Sequence, residues 1–183
     1  MNNSAISLFL SFLALIMFSG SYFFKNKSYY LFFQGLGGLC LVFSYLFISE
    51  FFPMISLFIG LVRTATYYAY EKNDRRVPVY VVVSICMATI INYVFVNIVI
   101  LQTQKPVDFI LVISFCLYAV IFSMRKLEIV RYTVIIPHIL TIIYNILIHA
   151  PIFTAISYSI ELTITIISIM YFRFSASYEK HKR

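Results

Sequence analysis

Residues 53–63 read PMISLFIGLVR and residues 151–161 read PIFTAISYSIE. Each stretch opens on a proline, runs on apolar, and ends ten residues later on a charge: Arg63 in the first, Glu161 in the second. Proline starts a helix well, because the N–H it lacks would have no partner in the first turn anyway. The two stretches therefore predict corresponding helices carrying opposite charges at matching depths. Arg63 is expected to be the only cation inside a long apolar segment, and Glu161 the only carboxylate. An ionisable group at bilayer depth costs about 2.5–3.5 kcal/mol on insertion scales and more by simulation, so it is tolerated where it faces a bundle interior and has a partner. The pair predicts a polar site in the middle of a membrane protein, where two repeats meet.

Composition points the same way. The chain has 183 residues, 62% hydrophobic and 11% charged. Soluble domains carry about 25% charged residues, so most of this surface is not built for water. The net charge of +7 raises the question of nucleic acid. The basic residues, however, lie in short breaks between apolar runs, as on the cytoplasmic face of a membrane protein, and nucleic acid is excluded as a partner. Cys40, Cys86 and Cys116 are isolated inside apolar runs. No CxxC or Cys/His spacing offers a metal or redox site, so buried free thiols, no metal and no cofactor are expected. No Lys or Arg precedes the first apolar run and no small-residue cleavage site follows it, so residues 4–24 are expected to be a retained helix.

Seven spans are expected, at about 4–24, 29–49, 52–71, 79–101, 107–124, 132–149 and 151–173. The breaks at Glu50–Phe52 and at Ala150 with Pro151 are short enough to demand tight hairpins. The run from 29 to 71 is too long for one span, and Ser49-Glu50 with Pro53 is its only break. Walking the breaks alternately puts Lys25, Lys27, Lys72, Arg75, Arg76, Arg125, Lys126, Arg131, Arg173, Lys180, Lys182 and Arg183 on one side and Lys105 alone on the other. Under the positive-inside rule the N-terminus is outside and the C-terminus cytoplasmic. Losing or adding a span would scatter these charges over both faces. Trp is absent, and Tyr22, Tyr29, Tyr30, Tyr67, Tyr68, Tyr70, Tyr171 and Tyr178 cluster near the expected cytoplasmic boundary. They read as an interfacial belt of anchors rather than ligands.

Spans 1–3 and 5–7 correspond. Each unit has a helix, a basic break (Lys25-Asn26-Lys27; Arg125-Lys126), a second helix, a tight hairpin, and a proline-initiated third helix with one central charge. The fold expected is an all-α integral membrane protein of two three-helix repeats, 1–76 and 105–183, the second with a basic cytoplasmic tail. They are joined by a linker helix in 77–104. An odd number of helices plus one linker makes the repeats parallel, related by an axis along the membrane normal. This three-plus-one-plus-three layout resembles the SWEET and PQ-loop transporters. Residues 22–76 more closely resemble the YgjV-type family of bacterial inner-membrane proteins. The residues carrying this are Phe24-Lys25-Asn26-Lys27, Gln34-Gly35 and Ser56 to Thr64, with Ile59-Gly60-Leu61-Val62-Arg63-Thr64. The second unit matches more weakly around Ile160-Glu161. The resemblance implies a multi-pass protein of a bacterial inner membrane, and a fold more than an activity. No Pro-Gln pair stands in spans 1 or 5 and no Trp is available to stack on a sugar, so the sugar substrate does not carry over.

Polar residues recur on one face of several spans. Span 7 has Thr154, Tyr158, Glu161, Thr165 and Ser168. Span 3 has Ser56, Gly60, Arg63 and Tyr67. Span 6 has His138, Thr141, Asn145 and His149. Span 2 has Gln34, Gly38 and Tyr45, with Gly35 and Gly37 for close helix approach, and span 4 has Asn92 and Asn97. Most hydroxyls are expected to bond their own backbone or a neighbouring helix. Pro137 should kink span 6 and free a carbonyl near Thr133. The substrate-binding candidates are Arg63, Glu161, His138, Asn145, Gln34 and Asn92.

Three functions fit this pattern to different degrees. The first is a secondary transporter of a small polar or charged solute, with Arg63 holding an anionic group and Glu161 a cationic group or a proton. The second is an accessory or interaction protein, with Arg63 and Glu161 as a structural ion pair and a basic face on anionic lipid. Either could assemble as a homo-oligomer. An intramembrane enzyme is disfavoured: no Ser/His, HExxH or paired-carboxylate arrangement appears, and no Walker motif would couple ATP.

Overall fold

The structure, a computed structural model, describes residues 3–47, 51–100, 106–147 and 152–181. Among them it is helical, with no strand. The helices are α1 (Asn3–Ser21), α2 (Lys27–Phe47), α3 (Phe51–Lys72), α4 (Val79–Tyr93), α5 (Asp108–Ser123), α6 (Leu127–Thr133), α7 (Ile135–Leu147) and α8 (Ile152–His181), and a π-helical stretch, Val94–Ile100, continues α4. Three segments are long and apolar enough to cross a membrane: Lys27–Phe47, Val79–Asn97 and Leu127–Leu147. Pro151, His149, Glu50 and Lys105 lie outside the described residues, so the tight hairpins and the overlay of Pro53 on Pro151 lie outside them too.

Side-chain contacts fix how the helices run. Ser7 bonds Ser44 at 2.8 Å and Ser21 bonds Gln34 at 2.9 Å, so α1 and α2 are antiparallel. A Cβ on Gly37 would come within 2.7 Å of the Phe18 ring, which shows how close α1 rides on α2. Lys27 pairs with Glu71 at 3.0 Å and Gly35 faces Thr64, so α2 and α3 are antiparallel as well. This supports the break near residue 50. The neighbours close a ring: α1 on α2, α2 on α3, α3 on α5, α5 on α7, α7 on α8, and α8 back on α1. α4 is not a member of it and packs on the seam of α3 and α5. Only 17% of Val79–Asn97 is buried, against 44% of Leu127–Leu147, as expected for a peripheral helix.

The molecule is turned inside out relative to a soluble protein. Among the described residues, 20 buried side chains are polar or charged and 16 are apolar, while Phe, Ile, Leu and Val crowd the exposed surface. Water-soluble cores show the reverse. A surface of this kind is stable where its surroundings are apolar, and hydrogen bonds between helices then supply specificity.

Three sequence expectations need correcting. The sixth helix begins at Leu127, not near 132, and breaks at Val134 into α6 and α7. Arg131, read as a surface residue of a basic break, is therefore buried. Its Nη2 donates to the Phe24 carbonyl just beyond the end of α1, and its guanidinium lies 4.0 Å over the Phe172 ring. The tyrosines also divide. Tyr29 and Tyr171 are exposed, as a belt requires, but Tyr22, Tyr30 and Tyr67 are fully buried. α8 packs across the end of α1 and encloses Tyr22, which periodicity alone cannot show. The seventh helix also runs on to His181, so the basic tail continues it.

Candidate functional site

The ring encloses a cavity of about 70 Å³, several times the roughly 10–15 Å³ that one water needs by the same measure. Its walls come from α1, α2, α3, α5, α7 and α8. Gln34, Arg63, His138 and Glu161 all line it, so four of the six candidates meet in one place. Asn92 and Asn145 do not line it. The Asn92 Nδ2 donates to Ser56 Oγ at 2.9 Å, joining α4 to α3. The Asn145 Nδ2 donates to the Thr141 carbonyl one turn back, also at 2.9 Å. Both act as helix glue.

Glu161 is 5% exposed and held from two sides. Tyr22 Oη donates to its Oε1 at 3.2 Å, and His138 Nε2 lies 3.3 Å from the same oxygen and 3.0 Å from Tyr22 Oη. The opposite ring nitrogen, Nδ1, contacts Tyr118 Oη. A neutral imidazole with its hydrogen on Nε2 satisfies every member: Nε2–H donates to Glu161 and Tyr22, and Nδ1 accepts from Tyr118. A protonated imidazole donates at both nitrogens and forms an ion pair with Glu161. Pro137 positions the histidine: its carbonyl accepts from Ser114 Oγ at 2.9 Å and from Thr141 Oγ1 at 2.8 Å, which pins α7 to α5 beside the ring.

Arg63 is 7% exposed and is treated very differently. Its guanidinium carbon sits 4.7 Å over the Phe122 ring and 5.7 Å from the Tyr118 ring. Its hydrogen bonding among the described residues is one long contact, Nη2 to Thr64 Oγ1 at 3.4 Å, and its Nε has no partner. No carboxylate lies within ion-pair distance of it among the described residues; Glu161 is paired with His138 instead. The direct ion pair between Arg63 and Glu161, the alternative reading of the sequence, is not formed among the described residues. Cation–π contact stabilises a desolvated guanidinium by about 2 kcal/mol, but it leaves the N–H groups free to bind something else.

The sequence missed three residues. Tyr22 and Tyr118 are two of them. Asp108 is the third: it lies at the second position of the fifth apolar run, yet it is as buried as Glu161. It accepts from Asn97 Nδ2 at 2.9 Å and from Tyr144 Oη at 3.0 Å. Asp108 sits away from the cavity and ties α5 to α7 and to the π-helical end of α4. No family model matches this chain, and neither a curated protein nor a solved structure does.

Proposed function

We propose that the chain is a multi-pass membrane protein working as a secondary transporter, with a small polar or charged solute bound in the ring's cavity. One observation carries this reading: Arg63 and Glu161 line the same cavity without pairing with each other. A structural lock would bring them together. A buried guanidinium with no carboxylate partner destabilises a fold, and a ligand that meets it offsets that cost. Seven spans, N-terminus outside, C-terminus in the cytoplasm of a bacterial cell, fit both the twelve-to-one charge bias and the helix order. The ring order is also the one that two parallel three-helix units related by a two-fold axis would give. α1–α2–α3 is repeated by α5–α7–α8, with α3 on α5 matched by α8 on α1. Alternating access would then be rocking of one unit against the other, as in three-plus-one-plus-three transporters. The alternative, an accessory protein with a locked core, has nothing comparable in its favour.

Labelling of a cysteine in the cavity separates the two. A Cβ at Gly38, which lines the cavity, would meet nothing within 4 Å. In a background with Cys40, Cys86 and Cys116 replaced by Ser or Ala, Gly38→Cys should react with a membrane-impermeant thiol reagent added from either side of oriented vesicles. A cysteine reachable from neither side would point to a closed, non-transporting core.

A further inference from the structure

We infer that the cavity takes a small organic anion, a short monocarboxylate, bound by the guanidinium of Arg63. The inference rests on reading the cavity as a solute site, and concerns which solute. Two charged side chains face the space, and they are not equally available. Glu161 already has Tyr22 and His138 on Oε1, with His138 able to hold a positive charge against it. A cationic solute would have to compete with that histidine while lying close to Arg63. Arg63 has no such competitor. Its Nη2 holds only a long contact to Thr64, and the rings of Phe122 and Tyr118 lie against the guanidinium. The two terminal nitrogens of a guanidinium make a fork that a carboxylate fills with two parallel hydrogen bonds.

The rest of the wall limits the body of the solute. Leu57, Leu61, Leu111 and Phe115 line the cavity beside Arg63 and offer no hydrogen bonds. A hydroxyl placed against these four side chains would go unpaired, at roughly 1–3 kcal/mol, whereas a short alkyl chain loses nothing there. A cavity of about 70 Å³ has room for a short carboxylate. Space at the guanidinium depends on a glycine. A Cβ at Gly60 would lie 3.9 Å from Arg63 Nη2 and 3.7 Å from the Phe115 ring, ordinary contact distances that fold easily but narrow the room at the charge. His138 and Glu161, across the cavity, can hold the proton that would accompany an anion and keep the step electroneutral.

The test is thermal melting of the purified full-length chain in detergent, titrated at constant ionic strength with sodium propionate, propylammonium chloride, sodium nitrate or sodium chloride. Propionate should raise the melting temperature saturably, by about 2 °C or more for a chain of this size. The other three salts should not. The rise should vanish in Arg63→Gln and shrink in Gly60→Ala, which serves as the deciding variant if Arg63→Gln fails to fold. No rise in the unaltered chain, an equal rise with nitrate or chloride, a rise with propylammonium, or an undiminished rise in Gly60→Ala would overturn the inference. Propionate binding alongside a Gly38→Cys that is reachable from neither side would leave the anion site standing and sink the transporter. Labelling from both sides with no propionate effect would do the opposite.

Discussion

A buried arginine held only by aromatic rings behaves differently from one in an ion pair, and the difference is measurable. Removing one partner of a buried pair costs about 3–5 kcal/mol, because the other charge is left uncompensated. Arg63 has no such partner among the described residues. Arg63→Gln, measured without added anion, should therefore leave the melting temperature unchanged or raise it. Glu161→Gln should lower stability by about 1–3 kcal/mol, since Tyr22 and His138 lose a charged acceptor. The double variant should fall within about 1 kcal/mol of the sum, the small excess passing through Tyr118, which touches both Arg63 and His138. A coupling of several kcal/mol, with the double variant rescuing Glu161→Gln, would restore the ion pair. At this scale the sequence was legible wherever charge contradicted its surroundings. Arg63, Glu161, His138 and Gln34 stand out because an apolar run has no reason to contain them. Asn92 and Asn145 stand out equally, yet they serve Ser56 and the Thr141 carbonyl. The choice between glue and site belongs to the neighbouring helix, which one sequence does not identify. Tyr22 was obscured for the same reason: at the end of an apolar run a tyrosine resembles an interfacial anchor until α8 covers it.

Helix extents follow from apolar run length, and most were readable within a few residues. The sixth was not, because Arg131 inside it looked like a break. A guanidinium can enter a helix end when a carbonyl and a ring receive it, as the Phe24 carbonyl and Phe172 do here. The junction of α4 and α5 shows a second device. A π-helical stretch changes which side chains share a face, and such stretches often carry function. Here it includes Asn97, whose Nδ2 reaches Asp108 at the first position of α5, while Tyr144 of α7 completes the carboxylate. Three elements converge on one carboxylate that the cavity does not use. Asp108→Ala should leave Asn97 and Tyr144 without their acceptor, lowering stability by about 2–3 kcal/mol. Propionate should still raise the melting temperature of the variant by as much as in the unaltered chain. If the ligand response disappeared together with the stability, Asp108 would belong to the binding site and the separation drawn between the two clusters would be wrong.

At the scale of the whole molecule, the breaks after α1, after α3 and after α5 are stitched to one another. Lys27 pairs with Glu71 at 3.0 Å, Arg125 with Asp74 at 2.6 Å, and Arg131 reaches the Phe24 carbonyl. Those contacts gather the basic residues of three breaks at one end of the bundle, which chain order alone implied only if every run crossed. The ring order was not legible at all, because nothing in a single chain says that α8 returns to α1. Exposed pairs such as Arg125–Asp74 contribute little to stability, so the cluster bears instead on the proposed orientation. Uncompensated Lys and Arg beside short loops resist translocation and stay in the cytoplasm. The bias survives removal of the residues that the structure neutralises or buries: with Lys27, Arg125 and Arg131 set aside, nine basic residues remain against Lys105. A reporter active only outside the cytoplasm should therefore be silent when fused after Arg183 and active when fused after Lys105. Activity at Arg183 with silence at Lys105 would invert the molecule. Activity at both, or at neither, would break the proposed alternation of seven spans, and with it the proposed access to the cavity from two sides.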